Sequence, residues 1–170
     1  MTRVIDTNVP LVTKLNEGHS QELVDACEEI LAQILEDALT VATDAGGEIV
    51  EEYMHQLSLS GQPSLGDEFV KYVHDRRFSW DEATRPDIEP HLVEEHRYGV
   101  LQGDGVEDID PSDRKFVATA KVADVPVVQG TDTKWLDWGP VLDIHGVRVI
   151  YAHESSIRDS YREKFGREAP

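Results

Sequence analysis

Acidic side chains follow two of the predicted strands of this chain. Asp6 comes directly after Val4 and Ile5, which favour β-structure, and so ends a predicted first strand. Asp132 follows a second β-forming run, 125–129, in the same way. In open α/β sheets, ligand sites lie in the crevice outside the carboxyl ends of the strands. We therefore expect both carboxylates at one rim of a sheet.

Two predicted helices bring further carboxylates to this rim. Asp110 suits the N-cap of a helix that has Pro111 at its first position. Asp113 lies one turn into that helix, on the inward stripe that also carries Phe116. A shorter helix, predicted over 48–57, supplies one glutamate from a set that helical position alone does not separate. That set is Glu48, Glu51 and Glu52.

Carboxylates that converge in this way repel one another unless a cation lies between them. Oxygen ligands without a nearby His or Cys favour Mg²⁺ or Mn²⁺ over zinc. Cys27, the single cysteine, lies on the apolar stripe of a predicted helix and is expected in the core. The sequence therefore predicts a magnesium or manganese site made of carboxylates.

Strands that alternate with amphipathic helices predict the fold class. We expect a three-layer α/β/α sandwich around a mainly parallel sheet, formed by a single domain over 1–170. An irregular insertion is expected over about 58–109, with a short helix or strand near 91–101. The other predicted strands are 39–43 and 147–151, and the other predicted helices are 20–37, 67–77 and one around 157–165.

The net charge of −18 argues against a general nucleic-acid-binding surface, which would be basic. Acidic proteins that act on phosphate chains do so through bound divalent metals, which invert the local charge. No apolar run approaches the roughly 20 residues of a membrane span, and the N-terminus has no signal pattern. A cytoplasmic protein without a membrane partner is expected.

Four segments, taken in order, resemble the PIN-domain nucleases, the family that shares a fold with the PilT N-terminus and with toxin ribonucleases. These segments are Val4–Asn8, Glu51–Tyr53, Asp113–Ala120 and Thr131–Trp135. The resemblance implies that the metal-binding acids are Asp6, Glu52, Asp113 and Asp132. It selects Glu52 because that glutamate precedes a tyrosine, and it implies support from Asn8 or Thr131. Asp137 is a candidate to replace or assist Asp132.

By this resemblance the protein would be a divalent-metal-dependent endoribonuclease, with RNA favoured over DNA. A metal-activated water would hydrolyse the phosphodiester. The family also implies either a toxin role with a protein antitoxin or a role in RNA processing, and a homo-oligomer. Three basic residues near the acids could position phosphate or simply offset acidic neighbours. They are Arg114, Lys115 and Lys134.

Two other classes of protein share part of this pattern. A haloacid-dehalogenase-type phosphatase also begins with a strand that ends in Asp, but Asn8 stands where its second aspartate, the general acid, would be. A non-catalytic binding domain on the same fold is the other class, since fold does not fix function. In that case Asp113 and Asp132 would be ordinary helix-start and turn residues. Trp135 and Trp138 are expected to pack in the core rather than stack on RNA bases.

Overall fold

The centre of the fold is a sheet of four parallel strands. The computed structural model describes all residues from 1 to 170. The strands are β1 (Thr2–Ile5), β2 (Thr40–Val41), β3 (Val127–Gln129) and β4 (Val149–Tyr151). They lie in the order β2-β1-β3-β4, and every pairing is parallel. The predicted parallel sheet is confirmed, although β2, β3 and β4 are shorter than the β-forming runs of the sequence.

Eight α-helices flank the sheet and give the predicted three-layer α/β/α sandwich. They are α1 (Asn8–Lys14), α2 (Gln21–Leu35), α3 (Glu48–Gln56), α4 (Leu65–Arg76), α5 (Arg114–Ala123), α6 (Lys134–Asp137), α7 (Gly139–Ile144) and α8 (Glu154–Phe165). The sequence patterns predict α2, α3, α4, α5 and α8 but not the three short helices. None of the eight has the length and apolar character needed to cross a bilayer.

The two central strands, β1 and β3, frame the point where the strand order reverses. From β1 the chain passes to β2 on one side and later returns to form β3 on the other side. Val4 pairs in register with Val127, and Ile5 pairs with Val128. The N–H of Asp6 then donates to the Val128 carbonyl at 2.9 Å. Asp6 therefore lies at the carboxyl end of β1, at the position where doubly wound sheets bind ligands.

Helix α2 forms where its apolar spacing and its cap both predict a helix. The hydroxyl of Ser20 accepts the N–H of Leu23 at 3.3 Å and so satisfies a free donor of the first turn. Cys27, Leu31 and Ile34 have no solvent exposure, which confirms Cys27 as a core residue. The stripe packs into one continuous cluster of buried hydrophobic side chains that includes β1, α3 and α5.

Replacing Leu31 with Ala should lower the free energy of unfolding by about 2–5 kcal/mol, because a fully buried leucine leaves a cavity. The matched change is Glu29→Ala on the exposed face of the same helix, which should stay within about 0.5 kcal/mol. Urea titrations of both variants provide the measurement. A larger loss for Glu29→Ala would mean that α2 packs by its other face.

Helix α3 is started by a buried carboxylate from the preceding turn. The two side-chain oxygens of Asp44 accept the N–H groups of Glu48 and Ile49, at 2.9 and 2.8 Å. The hydroxyl of Tyr53, which is fully buried, donates to the carbonyl of Ile5 at the end of β1. These contacts fix α3 beside the first strand, so a glutamate on this face of α3 reaches the rim.

Helix α5 continues from a 3₁₀ turn at Pro111–Asp113. Phe116 and Ala118 have no solvent exposure, and Ala120 has 1%. The small alanine side chains let α5 lie directly against β1 and β3. Asp113, the last residue of the turn, is thereby carried to the rim on a helix that packs closely on the sheet.

The expected irregular segment, 58–109, packs on the same core. It contains α4 and two further 3₁₀ turns, Glu82–Thr84 and Val106–Asp108. The buried side chains of Ile88, Tyr98 and Leu101 join the main hydrophobic cluster. The helix or strand expected near 91–101 is absent, because only isolated bridges involving Pro90, Tyr98 and Leu101 form there.

The two tryptophans that follow β3 are packing residues, as predicted. Trp135 and Trp138 are 1% and 5% exposed. Their ring centroids lie 5.3 Å apart, and the rings are inclined at 50°. Buried rings that contact each other offer no free face to an RNA base.

Candidate functional site

Asp6 is a buried carboxylate with little to compensate its charge. It is 2% exposed, and the N–H of Asn8 donates to Oδ1 at 2.8 Å. Burial raises the pKa of Asp6 to about 7, and the charges of Glu52 and Asp132 act in the same direction against the Asn8 hydrogen bond. A carboxyl group with such a pKa lacks the donors and cations that usually accompany buried acids.

Three further aspartates gather next to Asp6. Carboxylate oxygens of Asp110, Asp113 and Asp132 lie within 4.8 Å of one another. Burial raises the pKa of Asp113 to about 8, and the nearby acids, Asp6 first among them, raise it as well. The sequence-predicted acids Asp6, Asp113 and Asp132 are therefore brought together by the fold, and Asp110 joins them.

Asp110 was expected to act as a helix cap, and its side chain does not do so. It occupies the predicted N-cap position before Pro111 but makes no capping hydrogen bond. Its carboxylate instead forms an ion pair with Lys134, and both side chains are well exposed. Lys134, a predicted phosphate-positioning residue, thus lies at the rim and is bound to one of its acids.

Helix α3 presents Glu52 to this group. The hydroxyl of Thr7 donates to Oε1 of Glu52 at 2.5 Å, and the ammonium of Lys115 lies 2.5 Å from Oε2. The charge of Glu52 also contributes to the raised pKa values of Asp6 and Asp113. Glu52 is therefore close to the aspartates, but a lysine of the chain already holds it.

The other two glutamates of the set lie elsewhere. Glu48 accepts the hydroxyl of Tyr98 at 2.6 Å, which ties the start of α3 to the 58–109 segment. Glu51 is exposed, and it lies about 100° around the helix from Glu52. The geometry thus favours Glu52 among the three candidates that the helical pattern left open.

Two of the predicted basic residues are buried and already bonded. Arg114 is 7% exposed, and its Nε donates to the carbonyl of Ile109 at 3.0 Å. A guanidinium nitrogen of Arg114 also lies 3.5 Å from Glu107. Lys115 is 6% exposed and donates to the carbonyl of Ser112 at 2.6 Å in addition to its contact with α3. Of the three predicted cations, only Lys134 is exposed to an incoming phosphate.

Gln129 holds the turn that follows β3, a role that the sequence patterns did not predict. It has no solvent exposure, and its Oε1 accepts the N–H groups of Gly130, Thr131 and Asp132 at 2.7, 3.2 and 3.2 Å. Because these donors converge on Oε1, the amide orientation is fixed and Nε2 points away from the turn. Nε2 has no hydrogen-bond partner of good geometry, yet the amide is close enough to Asp6 to favour its ionised form.

The predicted supporting residues take different places. The side chain of Asn8 approaches Gln129 Oε1 at 3.5 Å, and Thr131 contributes its backbone N–H to the same oxygen. Asp137 faces away from the rim, where it accepts the hydroxyl of Tyr161 at 2.6 Å and joins α6 to α8. Gln129 ends β3 level with the position of Asp6 in the strand register, a placement that only the folded sheet reveals.

The donor set fits a divalent cation that prefers oxygen. Mg²⁺–oxygen bonds of about 2.0–2.1 Å place two ligands of one ion up to about 4.2 Å apart, so the aspartate trio needs only a small contraction. Asp67 provides a contrast within the same chain. Burial would raise its pKa, but hydrogen bonds from Ser58, Ser64 and Lys14 lower it to about 2. At Asp6 and Asp113 the donors are too few to offset burial, so their pKa values stay raised, and a cation would supply the missing compensation.

A cavity of about 780 Å³ lies behind the 89–107 segment. Tyr98 and Arg114 contribute to its wall, but none of the four clustered aspartates does. The acids therefore do not form the floor of this cavity. Asp110, Asp113 and Asp132 are partly exposed, and Asp6 is buried beside them.

Comparisons of the chain with protein-family models, with curated protein sequences and with solved structures found no match. The resemblance carried by the four sequence segments therefore stays a prediction. Any functional assignment depends on the chemistry of the rim.

Proposed function

We propose that the protein is a divalent-metal-dependent nuclease that hydrolyses phosphodiester bonds in single-stranded RNA, with Mg²⁺ or Mn²⁺ as its cofactor. The observation that carries the proposal is the convergence of Asp110, Asp113 and Asp132 within 4.8 Å, beside the buried Asp6. This group lies where the strand order reverses, and its carboxylates have too few positive partners. The resemblance to PIN-domain nucleases supports the same function.

Each rim residue then has a distinct task. Asp113 and Asp132 would hold the ion together with Asp110, and Lys134, which is paired with Asp110, would be available to a phosphate oxygen of the substrate. Asp6, held by the N–H of Asn8, adds its charge beside these carboxylates. Gln129 holds the turn that carries Asp132. A bound divalent ion supplies an activated water near neutral pH and stabilises charge on the phosphoryl oxygens.

An acidic protein is suited to a substrate that it contacts through a metal. The net charge of −18 leaves little of the phosphate neutralisation by Lys and Arg that drives non-specific duplex binding. The choice of RNA over DNA follows from the family resemblance. A protein antitoxin and a homo-oligomer belong to the proposal on the same ground.

The phosphatase alternative has no support at the rim. Asn8 stands where the general acid of that class would be, and its side chain approaches Gln129 rather than open space. A binding domain without activity gives no reason to keep two carboxyl groups, Asp6 and Asp113, in surroundings that raise their pKa values. The nuclease remains the function that uses the whole group.

Cleavage of a labelled single-stranded RNA in Mn²⁺ tests the proposal directly. Asp132→Asn should slow cleavage by at least about 100-fold, the upper end of the losses seen when supporting groups of metal sites are removed. Asp137→Asn is the matched control in the same segment and should retain activity, because Asp137 faces Tyr161. Equal rates for the two variants would contradict the assignment of Asp132. A wild-type protein that neither binds Mn²⁺ nor cleaves RNA or DNA would refute the function.

A further inference from the structure

Lys115 is the buried cation of the site. Its side chain is 7% exposed, and its ammonium contacts Glu52 Oε2 and the carbonyl of Ser112 at 2.5 and 2.6 Å. The other oxygen of Glu52 accepts the hydroxyl of Thr7 at 2.5 Å. Groups of the chain itself therefore occupy both oxygens of Glu52.

The Lys115–Glu52 pair differs in kind from the other ion pair of the rim. Lys134 and Asp110 are 47% and 38% exposed, so water can replace either partner at little cost. In the Lys115–Glu52 pair the lysine side chain is 7% exposed and the glutamate 29%, so removing Glu52 would leave the buried ammonium without its charged partner, which is unfavourable. Lys134 can therefore release Asp110 to water or another anion, whereas Lys115 stays bound to Glu52.

The remaining charge of the rim matches one divalent ion. With Glu52 held by Lys115 and Asp110 held by Lys134, the acids without a cationic partner are Asp6, Asp113 and Asp132. One divalent ion leaves these three with a single negative charge, whereas two ions would leave an excess of positive charge.

The geometry points the same way. The oxygens that come within 4.8 Å of one another belong to Asp110, Asp113 and Asp132, so Glu52 is not among them, and Asp6 lies beside this trio rather than in it. Beside Asp6 lies the buried amide of Gln129, whose Nε2 is a donor that favours the ionised carboxylate and cannot ligate a cation. The side of the rim formed by Asp6 and Glu52 therefore already contains an ammonium and an amide donor.

We propose that Lys115 takes the place beside Glu52 that a second metal ion would need, so the centre binds one exchangeable divalent ion and Glu52 is not its ligand. This inference rests on the proposed metal-dependent function and corrects the ligand set that the family resemblance implies. Lys115 acts here as a positioning residue, because it reaches the site only through Glu52.

Calorimetric titration with Mn²⁺ alone tests this inference on the full chain. The wild type should bind one ion per chain. Glu52→Gln should change the dissociation constant by less than about 10-fold, the smallest loss typical of removing an orienting group. Lys115→Met frees Glu52 and should create a second site, with two ions per chain. Lys115→Gln, which keeps a donor for Ser112, replaces this variant if it fails to fold.

Three results of these titrations would contradict the single-ion centre. Two ions per wild-type chain, a loss of more than about 10-fold in Glu52→Gln, or one ion with unchanged affinity in Lys115→Met would overturn it. Those results would leave a metal-dependent nuclease in place. A wild-type chain that binds no Mn²⁺ would instead refute the proposed function together with the single-ion centre. A structural role for Lys115 alone would change the melting temperature but not the number of ions bound.

Discussion

Asp6→Asn should abolish Mg²⁺- or Mn²⁺-dependent cleavage of single-stranded RNA without unfolding the protein. The amide has the same shape and can still accept the N–H of Asn8, so the end of β1 should be preserved. The lost charge lies beside the aspartate trio, where it acts on the pKa of Asp113. We expect cleavage to fall by at least about 100-fold, more than is usual for a group that only supports a metal ligand.

Initial rates on a labelled RNA, together with thermal melting, separate loss of activity from loss of fold. Asp143→Asn, an exposed aspartate on α7, is the matched control and should behave like the wild type. Wild-type rates in a folded Asp6→Asn protein would refute the mechanism. If Asp6→Asn melts far below the wild type, the cleavage rate of Asp132→Asn becomes the test of the mechanism.

The second large effect concerns pH and stability in the absence of metal. The pKa of Asp113 is about 8 in the folded chain against an ordinary value of 3.8, so the folded state binds this proton more tightly than the unfolded state does. The stabilisation is complete below the ordinary pKa and is lost as pH rises through about 8. Asp6, with a pKa of about 7, acts in the same direction. In the presence of chelator, the melting temperature of the wild type should therefore fall progressively from about pH 6 to about pH 9.

Asp113→Asn should flatten this dependence and raise the melting temperature at the alkaline end. Each kcal/mol of relieved repulsion corresponds to about 2–4 °C in a chain of this size. Saturating Mn²⁺ should stabilise the wild type by about 2.7 kcal/mol at 100 times its dissociation constant, and most of that gain should be lost in the variant. Melting series in chelator and in Mn²⁺ across pH provide the measurement. If the variant melts lower in chelator and keeps the full Mn²⁺ gain, Asp113 is only a helix-start residue.

The parts of the fold that the sequence predicts have a repeating pattern long enough to recognise. Helix α2 shows the apolar spacing over four turns and carries its own cap at Ser20. Helices α6 and α7 have only 4 and 6 residues, too few to show a period. In α1, Val9, Pro10, Val12 and Thr13 are all buried, so no polar face reveals the helix. The sequence Asp-Thr-Asn-Val-Pro favours a turn instead.

The candidate site was predictable where topology alone decides it. Asp6, Asp113 and Asp132 come together because strand ends and helix starts share one rim in a parallel sheet. The pairing of Lys115 with Glu52 and of Lys134 with Asp110 joins residues far apart in the chain, and local patterns carry no information about such partners. Gln129 was missed for a related reason, since its importance comes from backbone donors that converge only in the folded turn.

The strand order also determines when, during synthesis of the chain, the site can assemble. β1 is made first and can pair early with β2, but its other side remains open until β3 has been synthesised. Asn8 and Gln129, which meet across that junction, are 121 positions apart in the chain. Because the N-terminus emerges from the ribosome first, this contact forms late. Before then, Asp6 and Asp132 share no rim. The carboxylates of the proposed metal site can therefore come together only after β3 and the turn that carries Asp132 have been made.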